Sequence, residues 1–178
     1  MGKYDKAMMK TAHIWAKESY CKKRQVGCVI SKDGRINSIG YNGTIANDNN
    51  ECEEYVTTCF KCGGELKIDY PGPKEVVCEC GGASSFTEDF LEEHKNEFIR
   101  TKKTVVHAEQ NALMFAVKNG ISTDGATMYV TTAPCVHCAK LIIQAGIVKV
   151  VYEEDYSDST GIELLKSNID VVKLEDDN

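Results

Sequence analysis

His107-Ala108-Glu109, followed twenty-five residues later by Pro134-Cys135-Val136-His137-Cys138, is the stretch that decides the reading of this 178-residue chain. It supplies one imidazole, two thiolates and one further carboxylate. A lone histidine is most often a surface or satisfied core residue, and C-x-x-C alone also fits a redox pair. Together, His107, Cys135 and Cys138 give three metal ligands with a fourth position left open, the pattern of a catalytic zinc site. Zinc held in this way lowers the pKa of water toward neutrality.

Both ligand groups fall at predicted helix starts. His107 opens a helix that Asn119-Gly120 ends, and Pro134 opens a second, Cys135 to Ala145, that stops at Gly146. The positive end of a helix dipole favours thiolate over thiol. Two cysteines three apart lie on nearly one helical face, so both reach one ion. Glu109, two residues after His107, projects from another side of the turn, where it faces the water position without occupying a coordination site. A carboxylate there can take a proton from the water and pass it to a reacting group. The plainer alternative is that Glu109 only favours its helix N-terminus. His137 turns elsewhere on its helix and is not expected to be a ligand.

Outward from this pair the chain alternates. Residues 3–19 read as an amphipathic helix on Tyr4, Met8, Ala12, Trp15 and Ser19. Val26 to Ser31 and Arg35 to Tyr41 are strands joined by the turn Lys32-Asp33-Gly34, with Cys28 a small core residue. Ala126 to Thr131 is a strand, Val148 to Tyr152 another, Ser159 to Ser167 a short helix, and Asp170 to Leu174 a last strand. Glu175 to Asn178 reads as a solvated tail. This order predicts an α/β fold: a three-layer α/β/α sandwich around a mixed five-stranded sheet, one domain over 1–178.

The 42% hydrophobic and 27% charged fractions are ordinary for a globular protein, and the net charge of −6 argues against a nucleic-acid footprint. Of the two small basic clusters, Lys22-Lys23-Arg24 and Arg100-Lys102-Lys103, the first suits a single phosphate on a small ligand, through Lys23 or Arg24. A solvated loop is the alternative. No stretch approaches the apolar length of a membrane span, and Met1 to Lys10 lacks the apolar core of a secretory signal. A cytoplasmic location is expected. In that compartment spaced cysteines read as metal ligands before disulfides, and this chain has nine. Between Glu51 and Lys103 the composition shifts to cysteine, glycine and Pro71-Gly72-Pro73, followed by a helical stretch, Thr87 to Ile99. The region about 53–90 is an insertion too small for its own core. Cys59 and Cys62, with Cys78 and Cys80, each pair followed by Gly-Gly, suit a closed structural zinc in a ribbon-like fold. Disulfides or a nucleic-acid-binding ribbon are the other readings, the latter disfavoured by Glu51, Glu53, Glu54 and Glu75.

Gln25-Val-Gly-Cys-Val-Ile30, Gly40-Tyr-Asn-Gly43, Val106-His-Ala-Glu-Gln-Asn-Ala112, Gly125-Ala-Thr-Met-Tyr-Val130 and Ala133-Pro-Cys-Val-His-Cys138 give the chain a resemblance to a known family. It resembles the deoxycytidylate (dCMP) deaminases of the cytidine deaminase superfamily, in a phage-like form. The zinc motif marks the superfamily, and Gly-Tyr-Asn-Gly narrows it to the deoxynucleotide branch. The resemblance implies hydrolysis of dCMP to dUMP and ammonia, feeding thymidylate synthesis. It implies Asn42 at the deoxyribose, the Ala108 backbone at the pyrimidine and Tyr156 near the phosphate. Asn42 is otherwise a turn residue beside Gly43, and Tyr156 a loop-edge packing residue. Another substrate on the same scaffold (dCTP, a free base or tRNA adenosine) is the alternative, with an acidic chain unsuited to the last.

The resemblance also implies a homo-oligomer, a hexamer in many members, activated by dCTP and inhibited by dTTP through the loop holding Gly40, Tyr41 and Gly43. Here the proline and glycines usual after that motif are missing. Phage-type relatives carry a further zinc, and Cys21 and Cys52 match two of its ligand positions; His94 matches the third poorly, and unrelated thiols with a surface histidine are the alternative.

Overall fold

The computed structural model describes residues 2–68 and 75–175. In chain order the elements are α1 (Asp5–Ala16), β1 (Gly27–Lys32), β2 (Arg35–Tyr41), β3 (Glu53–Thr58), β4 (Glu65–Ile68), β5 (Glu75–Val77) and β6 (Ala83–Ser85). They continue as α2 (Glu88–Glu93), α3 (Lys95–Phe98), β7 (Ile99–Thr101), α4 (Ala108–Lys118) and β8 (Thr127–Thr132). The last are α5 (Val136–Gln144), β9 (Lys149–Glu154), α6 (Thr160–Lys166) and β10 (Asp170–Lys173).

Five strands form the central sheet in the order β10-β9-β8-β1-β2. The β1–β2 hairpin turns on Asp33 and Gly34, both at positive φ (52° and 73°), the conformation a two-residue Asp-Gly turn demands. β1 also runs antiparallel to β8, while β8, β9 and β10 are mutually parallel, so the sheet is mixed. Alternating side chains separate the two faces. Val29, Tyr129 and Val151 pack against Met8, Met9 and Ala12 of α1. Cys28, Ile30, Met128, Val130 and Val150 point the other way, onto Ala108, Ala112, Leu113, Ala139, Ile142 and Leu165 of α4, α5 and α6. The three-layer sandwich and Cys28 as a core residue are as expected from the sequence. Asp5 is buried at the start of α1, where it accepts bonds from Gly2 N–H and the Tyr129 hydroxyl and meets Lys149.

The residues between β2 and α4 build their own small sheets: β4-β3-β7, and the hairpin β5-β6. The stretch Thr87 to Ile99 is not one helix. Thr87 caps α2 by accepting the Phe90 N–H at 3.2 Å, the chain turns at His94, and α3 gives way to β7. That turn brings Phe98 to 5.4 Å from Phe86, edge to face, so tertiary contact overrides helical propensity. Pro71-Gly72-Pro73 and tail residues 176–178 lie outside the described residues. Among the described residues no helix is long and apolar enough to cross a membrane.

Candidate active site

His107 is the N-cap of α4 and Cys135 the N-cap of α5, both in extended conformation, with Cys138 one turn into α5. His107 Nδ1 lies 3.7 Å from Cys135 Sγ and 3.4 Å from Cys138 Sγ. A tetrahedral zinc, with bonds of about 2.3 Å to sulfur and about 2.0 Å to nitrogen, separates its ligands by roughly 3.5–3.8 Å. The donor set therefore fits zinc in kind and in spacing. The thiol of Cys138 donates toward Cys135, which with the His107 and backbone bonds holds the Cys135 thiol far below its ordinary value; Cys138, as that donor and buried, is held far above it. The bond to Cys135 raises His107 against the opposing effect of burial. His137 is exposed and belongs to no ligand cluster among the described residues.

Glu109, in the first turn of α4, is 4% exposed, and burial raises its carboxyl above the usual range. It lines a pocket together with His107, Ala108 and Cys135. Arg24, Asn42 and Tyr156 line the same pocket. The Arg24 guanidinium sits 5.9 Å from the Tyr156 ring centroid, a cation–π arrangement that presents one fixed positive charge at the pocket. Lys23 is not a lining residue: its Nζ donates to the Ile99 carbonyl at 3.3 Å. The structure brings Arg24, and not Lys23, to the pocket.

Asn42 is buried and holds the loop that carries Arg24. Its Oδ1 accepts the Val26 N–H and its Nδ2 donates to the Arg24 carbonyl, each at 2.8 Å. One amide hydrogen and one lone pair remain for a ligand. Five pocket residues carried no signal as such in the sequence: Val26, Thr101, Val105, Thr132 and Ala133. Ala133 adjoins the Pro-Cys motif and could have been read from it. Thr101 belongs to β7, inside the region that looked like an appendage, and nothing in its local sequence points to a site.

Gly40, expected at a regulatory loop, has a packing task. A Cβ there would come within 2.3 Å of the Ala108 carbonyl and 2.5 Å of the Ala112 N, so the absent side chain lets α4 lie close on β2. Tyr41 stacks on Trp15 at 6.3 Å, and its carbonyl accepts from Asn111. Gly43 forms an isolated bridge to Val106, directly before His107.

Cys59, Cys62, Cys78 and Cys80 form the second cluster of ligand atoms among the described residues. Cys59 and Cys80 Sγ are 3.6 Å apart and Cys62 and Cys78 Sγ 3.5 Å apart, close to the edge of a tetrahedral thiolate cage. Hydrogen bonds from the Cys62 and Lys61 backbone pull the Cys59 thiol down to about 6. The expected set of Cys21, Cys52 and His94 does not assemble. Cys21 and Cys52 are joined as a disulfide in a small buried cluster with Val105. The His94 ring stacks on Phe90 and hydrogen-bonds its carbonyl. The two sulfurs meet each other and His94 turns to Phe90, so the three are not brought to one point.

The family known as the cytidine and deoxycytidylate deaminase zinc-binding region matches residues 3–154. The chain belongs to this family. The deaminase is 39% identical over 150 residues to the deoxycytidylate deaminase of Enterobacteria phage T4, covering 84% of this chain and 77% of that one. The phage T2 deoxycytidylate deaminase matches at 39% over 151 residues, 84% of this chain and 79% of the relative. In structure the deaminase is similar to the dCMP deaminase from the cyanophage S-TIM5, solved in complex with dCMP and dUMP. The TM-score is 0.68 at 30% identity, over 98% of each chain. The protein is a hydrolytic deaminase, and zinc is the metal of its family.

Proposed function

We propose that this deaminase converts dCMP and water to dUMP and ammonia, supplying dUMP for thymidylate synthesis. The observation that carries the reading is one pocket lined by buried Glu109, by His107 and Cys135 of the three-ligand set, and by Arg24 with Tyr156. A base with its 5′-phosphate calls for both kinds of group in one pocket. His107, Cys135 and Cys138 would hold the catalytic zinc, which when bound supplies a Lewis acid that makes water a nucleophile at neutral pH. Glu109 accepts a proton from the attacking water at a carboxylate oxygen and delivers it to the pyrimidine ring nitrogen. It then carries the second water proton to the amino group, which leaves as ammonia while the carbonyl of uracil forms. Burial suits Glu109 to both halves, because raising the carboxyl above its ordinary value strengthens it as a proton acceptor and keeps the bound proton available for transfer.

The Ala108 backbone, at the N-terminus of α4 where N–H groups lack helical partners, meets the pyrimidine. Asn42 meets the deoxyribose with its remaining donor and acceptor, and Arg24 meets the phosphate with Tyr156 behind it. Lys23 supports this loop through Ile99 and does not touch the ligand. The chain acts as a single domain over 1–178 with its insertion at about 53–90, holding one catalytic zinc and one structural zinc at Cys59, Cys62, Cys78 and Cys80. It works in the cytoplasm, the host's for a phage-encoded chain, and takes nucleotides in place of nucleic acid or membrane. A homohexamer with dCTP as activator and dTTP as inhibitor completes the reading; support for these is the family resemblance alone, since Gly40 is occupied with packing.

Ammonia release and the absorbance change with dCMP test the assignment. Turnover of dCTP, cytosine or a tRNA adenosine with dCMP untouched overturns the substrate while leaving the chemistry.

A further inference from the structure

The insertion does not stand apart from the active site. β3 runs from Glu53 to Thr58, directly before Cys59, so one strand of six residues, about 20 Å long, links the four cysteines to the core domain. At the far end of β3, Glu53 pairs with Thr101 of β7, and Thr101 lines the catalytic pocket. The Glu53 carboxylate also accepts the backbone N–H of Lys22 at 2.9 Å and of Lys23 at 3.1 Å, directly before Arg24. Lys23 Nζ reaches the Ile99 carbonyl of β7 across the same gap. Two walls of the pocket, Arg24 and Thr101, are therefore held by a single strand.

That strand has little apolar support of its own. Across β3, β4 and β7 only Leu66 and Ile68 are buried apolar residues, and β5-β6 contributes no buried residue. Sheets this small need a staple. Cys59 and Cys62 lie in the connection between β3 and β4, and Cys78 and Cys80 in the connection between β5 and β6. A metal on all four therefore ties one hairpin to the other. Cys59 N–H bonds to the Gly64 carbonyl and Cys78 N–H to the Gly82 carbonyl, both at 2.7 Å, so each connection is closed by its own backbone bonds.

We propose that the four-cysteine zinc controls nucleotide binding: by ordering β3 it sets Arg24 and Thr101 in place, with Glu53 as the positioning residue, while the chemical centre at Glu109 is untouched. The proposal rests on the dCMP reading for its ligand and on the four cysteines for its metal.

The test uses the full chain and three readouts: zinc per chain, dUMP affinity by calorimetry, and the split between KM and kcat for dCMP. In the doubly substituted Cys62→Ser, Cys80→Ser protein, zinc falls from two to one per chain. Its dUMP Kd and dCMP KM rise about tenfold, the scale of one lost charge-assisted hydrogen bond, with kcat within about threefold of wild type. Glu53→Ala keeps both zinc ions and weakens dUMP by a similar factor, which places the effect in the hold of Glu53 on the loop before Arg24. One zinc per wild-type chain, or unchanged dUMP affinity in either variant, overturns the proposal. If wild type neither binds dUMP nor deaminates dCMP, the substrate reading fails. The control of the wall is then read by tryptic cleavage after Arg100 and Lys102, expected to accelerate at least about tenfold in both variants through local opening. Equal cleavage rates overturn the proposal there too.

Discussion

His107 Nδ1 and Cys135 Sγ stand 3.7 Å apart although 28 residues separate them, because each caps the helix that packs on the same face of the sheet. Cys138 completes the set from inside α5, fully buried. Its sulfur cannot be exchanged for a hydroxyl without losing a zinc ligand and burying a poorly bonded polar group. Cys138→Ser is expected to lose one zinc per chain and about 10³-fold or more in kcat, several kcal/mol of transition-state stabilisation. Metal analysis beside steady-state rates checks this; full activity with full zinc would remove Cys138 from the site.

Glu109 sits beside those ligands without joining them. Glu109→Gln keeps the volume and removes the exchangeable proton. The expected result is a loss of roughly 10²–10⁴-fold in kcat, the range for a positioned general acid–base, with zinc content unchanged. A variant that loses the metal as well would make Glu109 a support for the site in place of its proton carrier.

Asn42 holds two backbone groups of the loop before β1, so its substitution acts on the loop as well as on a ligand. Asn42→Ala leaves the Val26 N–H and the Arg24 carbonyl without their partner and costs about 1–3 kcal/mol of stability. The dCMP KM rises with it. Asn42→Asp retains the acceptor for Val26 but not the donor to Arg24, and should recover part of the stability but not the KM. Chemical denaturation and kinetics on both variants separate the two effects.

Much of this was legible from residue types and spacing. The helix starts at His107 and Cys135, the Asp33-Gly34 turn and the five core strands follow from periodicity and local turn chemistry, which act over a few residues. The insertion was less legible for the same reason: β5, β6 and β7 are three residues each, and β7 pairs with β3 across more than forty residues. No local pattern marks Thr101 as a pocket wall. Charge alone could not choose between Lys23 and Arg24; the Glu53 and Ile99 contacts decide it. The contact of Cys21 with Cys52 and not with His94 ran against an expectation carried by the family resemblance, in which His94 already matched its position poorly.

Gly40→Ala tests how tightly the site depends on the sheet. The added methyl meets the Ala108 carbonyl and the Ala112 N, both main-chain atoms of α4 that cannot rotate away. Overpacking of this kind costs about 1–3 kcal/mol, and relief comes only by moving α4. Because α4 begins at His107 and carries Glu109, activity should fall along with the melting temperature. A stable, fully active variant would show that α4 shifts without moving its first turn.

Acid should loosen the insertion through Glu54. Its carboxylate meets Lys67 at 2.8 Å and Arg100 at 2.6 Å, and Arg100 also binds Glu65 at 2.8 Å. The Lys67 bond first and the Arg100 bond second pull the Glu54 carboxyl from 4.5 down to about 2. A carboxyl whose folded value is depressed stabilises the fold fully above its unfolded value and loses that stabilisation as pH falls toward the folded one. The window here is therefore pH 4.5 to about 2. Glu54→Gln should cost about 0.5–1 kcal/mol at pH 7, discounted because Lys67 is 75% exposed and Arg100 33% exposed, and progressively less below pH 4.5. Thiolates also release metal in acid, but they do so in both proteins. The quantity to read is thus the difference between wild type and Glu54→Gln in amide exchange along β3, measured at the same pH. A difference that stays constant from neutral pH down through this window would assign the acid sensitivity to the cysteines and not to Glu54.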